Sequence, residues 1–140
     1  MKKKKKTVSA SGLRAISAYD GRGKSRDELV TDVLVSVTRE DIDGGRCHDP
    51  HKCALARALR RVVRPGTRLS VDGYSIAFGR DSSKIDLDQE SIEEFVERFD
   101  ECRAARDMAA AKAEVRPTTL RVSVPLRFMR ADAAGELLGP

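Results

Sequence analysis

Seven consecutive residues concentrate the thiol and imidazole chemistry of the chain: Cys47-His48-Asp49-Pro50-His51-Lys52-Cys53. Thiolate and neutral imidazole are the preferred ligands of zinc, which takes four of them in a tetrahedron, usually as two close pairs separated by a longer loop. Cys47, His48, His51 and Cys53 are therefore the candidate ligands. Four groups so close in sequence do not easily surround one ion, and Cys102 is the one further residue of either type. A reading without metal is complete: Asp49 caps a helix, Pro50 fills its first position, and Cys53 lies one turn in as a buried side chain. A thiol enzyme needs a His within hydrogen-bond reach of the Cys and a third group to orient it. Cys47 and His48 are neighbours that need not converge, and His51 and Cys53, two apart on a helix, do not face each other. The expectation is a non-enzymatic protein with no catalytic residues, no metal and no cofactor.

Two further patterns concern phosphate. Ala18 to Ser25 matches a relaxed phosphate-binding loop with Ala in place of its first Gly. Such a loop works between a buried strand and a helix whose amides cradle the phosphates; nothing before Ala18 reads as that strand. Basic residues are better placed. Arg57, Arg60, Arg61 and Arg64 recur at i, i+3, i+4 and i+7, one strip of a helix opposite Leu55, Leu59 and Val62. That strip either meets an anion or pairs with Glu93, Glu94 and Glu97 of a later acidic helix. The run Lys2, Lys3, Lys4, Lys5, Lys6 buries nothing and attracts polyanions without reading bases, so its binding is steeply salt-dependent. Four Phe, two Tyr and no Trp leave no stacking platform for single strands.

The elements that would position these groups follow from pattern. Of 140 residues, 35% are charged and 40% hydrophobic, which suits one domain with tails. No apolar run approaches the roughly 20 residues of a membrane helix, and the residues after the lysines form no signal-peptide core, so a cytoplasmic protein with reduced thiols is expected. Net charge is +5, distributed as +6 over residues 1–30, +3 over 31–80, −6 over 81–114 and +2 over 115–140. Residues 1–31 read as a basic, largely disordered arm, in which Ser25 and Glu28 suit a short helical cap. Residues 32–126 form a single α+β domain and 127–140 a tail. Val33, Val35 and Val37 predict a strand, with Leu34 suggesting cover on both faces. Thr38 starts a turn of helix that Gly44 and Gly45 end. A helix from Pro50 to Arg64 follows. Asp72-Gly73 marks a hairpin between Leu69/Val71 and Tyr74/Ile76/Phe78, and Ile85 and Leu87 give a third strand. Asp88 caps a long helix over Gln89–Lys112, and Leu120, Val122 and Val124 form a last strand that Pro125 places near a sheet edge. The order is β-α-β-β-β-α-β, a small antiparallel or mixed sheet with two helices packed on it.

The segments Val35-Ser36-Val37-Thr38-Arg39-Glu40-Asp41-Ile42-Asp43-Gly44-Gly45, Cys53-Ala54-Leu55-Ala56-Arg57-Ala58-Leu59-Arg60-Arg61 and Phe95-Val96-Glu97-Arg98-Phe99-Asp100 resemble small uncharacterised proteins found in bacteriophage and actinobacterial genomes. Those carry a strand, a Thr-x-x-Asp/His-Ile-x-x-Gly turn, a Cys-Pro-x-Ala-x-Ala helix start and a Phe-x-x-x-Phe-Asp segment. The likeness covers residues 33–102 and departs at Ala54, where Pro is expected. It implies a shared fold and a setting in a bacterial cell or phage-infected host, with no activity to carry over.

The expected function is a binding protein, a phage or mobile-element accessory factor that contacts nucleic acid or another polyanion through Lys2–Lys6 and the strip Arg57, Arg60, Arg61 and Arg64. The alternative is protein–protein or self-association, as a homodimer, through Phe99, Cys102 and Ala109 on the long acidic helix; a zinc-stabilised domain at 47–53 is the third class.

Overall fold

A computed structural model describes residues 13–20, 22–72, 75–79, 83–86 and 90–130. In chain order the elements are β1 (Arg14–Tyr19), β2 (Ser25–Val37), α1 (Arg39–Gly44), α2 (Ala54–Leu59), β3 (Leu69–Val71), β4 (Ser75–Phe78), β5 (Ser83–Asp86), α3 (Glu90–Glu101), a 3₁₀ turn (Cys102–Ala104), α4 (Met108–Ala113), β6 (Thr118–Pro125) and a second 3₁₀ turn (Leu126–Phe128). The class is α+β. All strand pairings are antiparallel, in the order β3-β4-β5-β1-β2-β6. Two blocks make up the sheet. β2 holds β1 from Arg14↔Val30 to Tyr19↔Ser25, and holds β6 from Val30↔Pro125 to Val37↔Thr118. β3, β4 and β5 form the other block, joined to the first at Tyr19↔Lys84.

Alternation decides the layers. Val33, Val35 and Val37 of β2 share a face with Val122, Leu120 and Thr118 of β6, and their side chains enter one core with Ile42, Leu55, Leu59 and Phe99. Each such aliphatic side chain contributes about 1.5–3 kcal/mol on burial. The opposite face is open around Leu34, 64% exposed, which corrects the expectation of cover on both sides. Nearer the hairpin that face closes: Ala18 and Val30 are buried, and Glu28 is covered by Arg127, whose Nε and Nη2 donate to its carboxylate at 3.0 and 3.2 Å.

The expected strand at 33–37, the α1 start, the 69–78 hairpin and the terminal strand are all present. α1 opens with a full capping box: Thr38 Oγ1 accepts from the Asp41 amide, and the Asp41 carboxylate accepts from the Thr38 amide. The 69–78 hairpin closes on Asp72, whose N–H donates to Ser75 O and whose carboxylate accepts the Ser75 N–H; β4 therefore starts at Ser75, and residues 73–74 lie outside the described residues. Pro125 ends β6, an edge strand.

Other expectations fail for identifiable reasons. The arm boundary at 31/32 falls inside β2, and Arg14–Tyr19 and the first half of β2, Ser25 and Glu28 included, belong to the sheet; their pairing as a hairpin outweighs a polar composition. The C-terminal boundary at 127 also moves, because Met129 bridges Val63, Arg64 N–H donates to Phe128 O and Arg130 N–H donates to Val62 O. Residues 1–12 and 131–140, like Leu87, Asp88 and Gln89, lie outside the described residues. The helix expected over 50–64 is confined to Ala54–Leu59, with Cys53 at its N-cap. Asp49 instead folds its carboxylate onto the His51 and Lys52 amides, and the chain beyond Leu59 continues in i→i+3 turns. That continuation keeps Val63 buried although the helix has ended.

The single acidic helix expected over 89–112 is two. α3 stops at Glu101, and Asp107, its side chain accepting from the Ala110 amide, caps α4. α4 is docked at its C-terminal end. Lys112 Nζ donates to Gly45 O at 2.6 Å over the Phe99 ring, and the Arg39 guanidinium donates to the terminal carbonyls of Lys112, Ala113 and Val115, where the helix dipole favours a cation. The observed order is β-β-α-α-β-β-β-α-α-β, with four α-helices among the described residues.

Candidate functional site

The four arginines expected to form a free cationic strip are exposed but engaged within the chain. The Asp41 carboxylate, almost fully buried, accepts Arg61 Nη1 and Nη2 at 2.9 and 2.6 Å, and Arg57 Nε stands 3.7 Å away. Arg61 Nη2 also donates to Ser36 O, Arg60 donates to His51 O, and Arg64 Nε donates to Met129 O at 3.0 Å. Burial opposes the charge on Asp41, yet the bonds from Arg61 and from the Thr38 amide outweigh it and hold the carboxyl below its ordinary range. These arginines fasten α1, α2 and the returning C-terminal segment together. Arg57 and Arg61 pair with Asp41, Arg60 and Arg64 with backbone carbonyls, and none of the four forms an ion pair with Glu93, Glu94 or Glu97 among the described residues.

The Cys/His segment is dispersed rather than gathered. The Cys47 thiol donates to Phe99 O and the Cys102 thiol to Arg98 O, while Cys53 is buried beneath α2. His48 adopts a left-handed conformation (φ 59°) and its amide donates to Asp100. His51 turns the other way, with Nδ1–H donating to Leu69 O at 2.7 Å. Among the described residues no group of three or more His, Cys, Asp and Glu is placed to hold a metal. Burial, partly offset by the Lys112 charge, raises the Cys47 and Cys102 thiols, and burial also raises Cys53; all three stay protonated at neutral pH and make poor nucleophiles. The self-association surface is likewise divided. Phe99 and Cys102 are core residues, inaccessible to a partner, and Ala109 is exposed on α4.

A different cationic feature stands clear of the core. β1 and β2 join through a tight loop in which Gly23 N–H donates to Asp20 O and Asp20 N–H to Lys24 O. Gly23 takes the left-handed conformation (φ 82°) that such a loop needs. The Asp20 carboxylate is turned onto its own loop, accepting the Arg22 and Lys24 amides at 2.8 and 3.0 Å, and those bonds lower its pKa. Residues 22–27 are exposed without alternation, so both faces of the hairpin end are open. Arg22, Lys24 and Arg26 project there, beside a half-exposed Tyr19, and Lys84 pairs with Tyr19 on the adjoining strand. Arg26 approaches Glu28 only at 3.9 Å. Sequence reasoning met this stretch as a phosphate-loop look-alike; the usable signal was Asp20–Gly23, a turn flanked by Ile16/Ala18 and by alternating charges. The run Lys2–Lys6 lies outside the described residues.

Comparison with protein-family models, with curated proteins and with solved structures finds no match to the chain.

Proposed function

We propose that the protein is a non-enzymatic binding protein that holds nucleic acid through the end of the β1–β2 hairpin, assisted by Lys2–Lys6. The observation that carries this reading is the hairpin end itself: Arg22, Lys24 and Arg26 on a short ribbon open on both faces, outnumbering Asp20, whose carboxylate is occupied by backbone amides, and the exposed Asp27. A two-stranded ribbon is narrow enough to enter a duplex groove while its cations meet phosphates. Three phosphate contacts would contribute a salt slope of about −3 in log K against log [salt]. The resemblance to phage-encoded proteins fits an accessory factor of that kind.

Fluorescence anisotropy of a labelled random-sequence duplex tests it. The Arg22→Ser/Lys24→Ser/Arg26→Ser variant should bind about tenfold or more weakly and lose close to 3 units of salt slope. Unchanged affinity and slope in a folded variant would overturn the assignment to the hairpin. If the same titration shows no binding by the intact protein at about 50 mM salt, nucleic acid is not the partner.

A further inference from the structure

Helix α3 and the segment leading into β6 enclose a groove of about 610 Å³. Its apolar lining is Phe95, Val115 and Leu120, and its charged lining is Glu94, Glu97, Glu101 and Glu114 against Arg98 and Arg116. None of the four glutamates forms an ion pair with a described residue. The β1–β2 hairpin end carries the opposite charge, Arg22, Lys24 and Arg26 outnumbering Asp20 and Asp27. Register places the two features at opposite ends of β2. The hairpin closes at Tyr19↔Ser25, whereas Thr118 and Leu120 of the groove pair with Val37 and Val35. At about 3.3 Å per residue the strand covers up to about 40 Å from Ser25 to Val37. None of Arg22, Lys24 and Arg26 lines the groove of its own chain.

We propose that the protein self-associates head to tail, the cationic hairpin end of one copy seated in the acidic groove of the next. Charge complementarity selects a second copy as the occupant. Opposite charges held at the two ends of one strand do not meet within the chain, but they do meet between copies stacked in the same direction. The hairpin end is a ribbon of two strands about 4.8 Å apart, narrow enough to enter a groove. Its arginine and lysine methylenes cover the apolar lining while their heads reach the glutamates. Each copy contributes two different surfaces, so the contact is heterologous and propagates as an open chain unless a ring closes. Because exposed charges hold it, the association is weak and screened by salt. It goes beyond the nucleic-acid reading, which uses the same cations but does not involve the groove. A duplex and a second copy compete for one hairpin.

Analytical ultracentrifugation without nucleic acid, on the intact chain and two variants with unchanged circular dichroism, tests this. At about 20 mM salt the mass of the intact protein should rise with concentration to species beyond the dimer, and at about 0.5 M salt it should return to the monomer. The groove variant Glu97→Gln/Glu101→Gln and the hairpin variant Arg22→Ser/Lys24→Ser/Arg26→Ser should each stay monomeric alone. Their equimolar mixture should stop at a dimer, because it holds one intact hairpin end for each intact groove. A monomeric intact protein, association retained by either variant, or a mixture that stays monomeric would each overturn the proposal. The groove variant also separates the two readings, since it loses self-association while its hairpin still binds the duplex. Absence of duplex binding by every protein removes the nucleic-acid reading alone.

Discussion

Asp41 receives a capping bond, two bonds from the Arg61 guanidinium and a nearby second cation, Arg57, while it is almost fully buried. Removing its charge would leave Arg61 facing a poorer acceptor, so Asp41→Asn should cost about 2 kcal/mol, moderated by the half-exposed guanidinium. The pH dependence has a definite sign. The folded carboxyl titrates below its ordinary value of 3.8, so its stabilisation is complete above the unfolded pKa and is lost as pH falls through the lower folded value. Melting temperatures of the two proteins should therefore differ at pH 7 and converge as the pH falls below the ordinary carboxyl value and through the lower folded one. A gap that stays constant into acid would show that Asp41 is not the group responsible. The cysteines make a second residue-scale prediction. Buried and protonated, Cys53 and Cys102 should react with maleimide at least about a hundredfold more slowly in native protein than in denaturant. Rapid native labelling of both would contradict their packing. The sequence displayed Thr38 as a helix start, but nothing local joined Asp41 to Arg61, twenty residues on. Ion-pair partners set by tertiary folding have no periodic signature.

Elements governed by neighbouring residues were legible. Thr38 with Gly44 and Gly45 marked α1, Asp72-Gly73 marked the β3–β4 hairpin, and the β-branched alternations marked β6 and the second half of β2. β1 and the first half of β2 were not, because Arg14, Arg26 and Asp27 obscure the alternation and the partner strand supplies the missing stability. Helix lengths were overestimated for another reason: an apolar stripe reports burial, and turns following a helix preserve the stripe. Tight turns make a quantitative prediction at this scale. Gly66 and Gly79 both have φ near +80°, yet a methyl group at Gly66 meets open space while one at Gly79 would stand 2.4 Å from the Phe128 ring. Gly66→Ala should cost about 1 kcal/mol for the left-handed backbone alone. Gly79→Ala should cost about 2 kcal/mol more, since it must displace an aromatic ring stacked on Phe78. Denaturant titration gives both values, and equal losses would mean that Phe128 does not close over the turn.

For the molecule as a whole, the longest ladder joins segments about 90 residues apart: β2 with β6, eight register pairs from Val30↔Pro125 to Val37↔Thr118. The C-terminal return onto Val62 to Arg64 also spans a long loop. That connectivity explains why residues 128–130, assigned to a tail by composition, belong to the fold, and it governs folding. Closing such a loop costs chain entropy before the contacts it permits can form, so refolding should take roughly milliseconds to seconds despite the helical content. Stopped-flow refolding complete within microseconds would exclude this topology. The same ladder predicts where stability is shared. Val35 and Leu120 face each other in the helix-covered layer, and each truncation to Ala should cost about 2–4 kcal/mol. Because each fills space against the other, the double variant should fall short of the sum by about 0.5–1 kcal/mol or more. Leu34→Ala, one residue away on the open face, should change stability by less than about 1 kcal/mol. Equal sensitivity at positions 34 and 35 would place the core on the wrong side of the sheet.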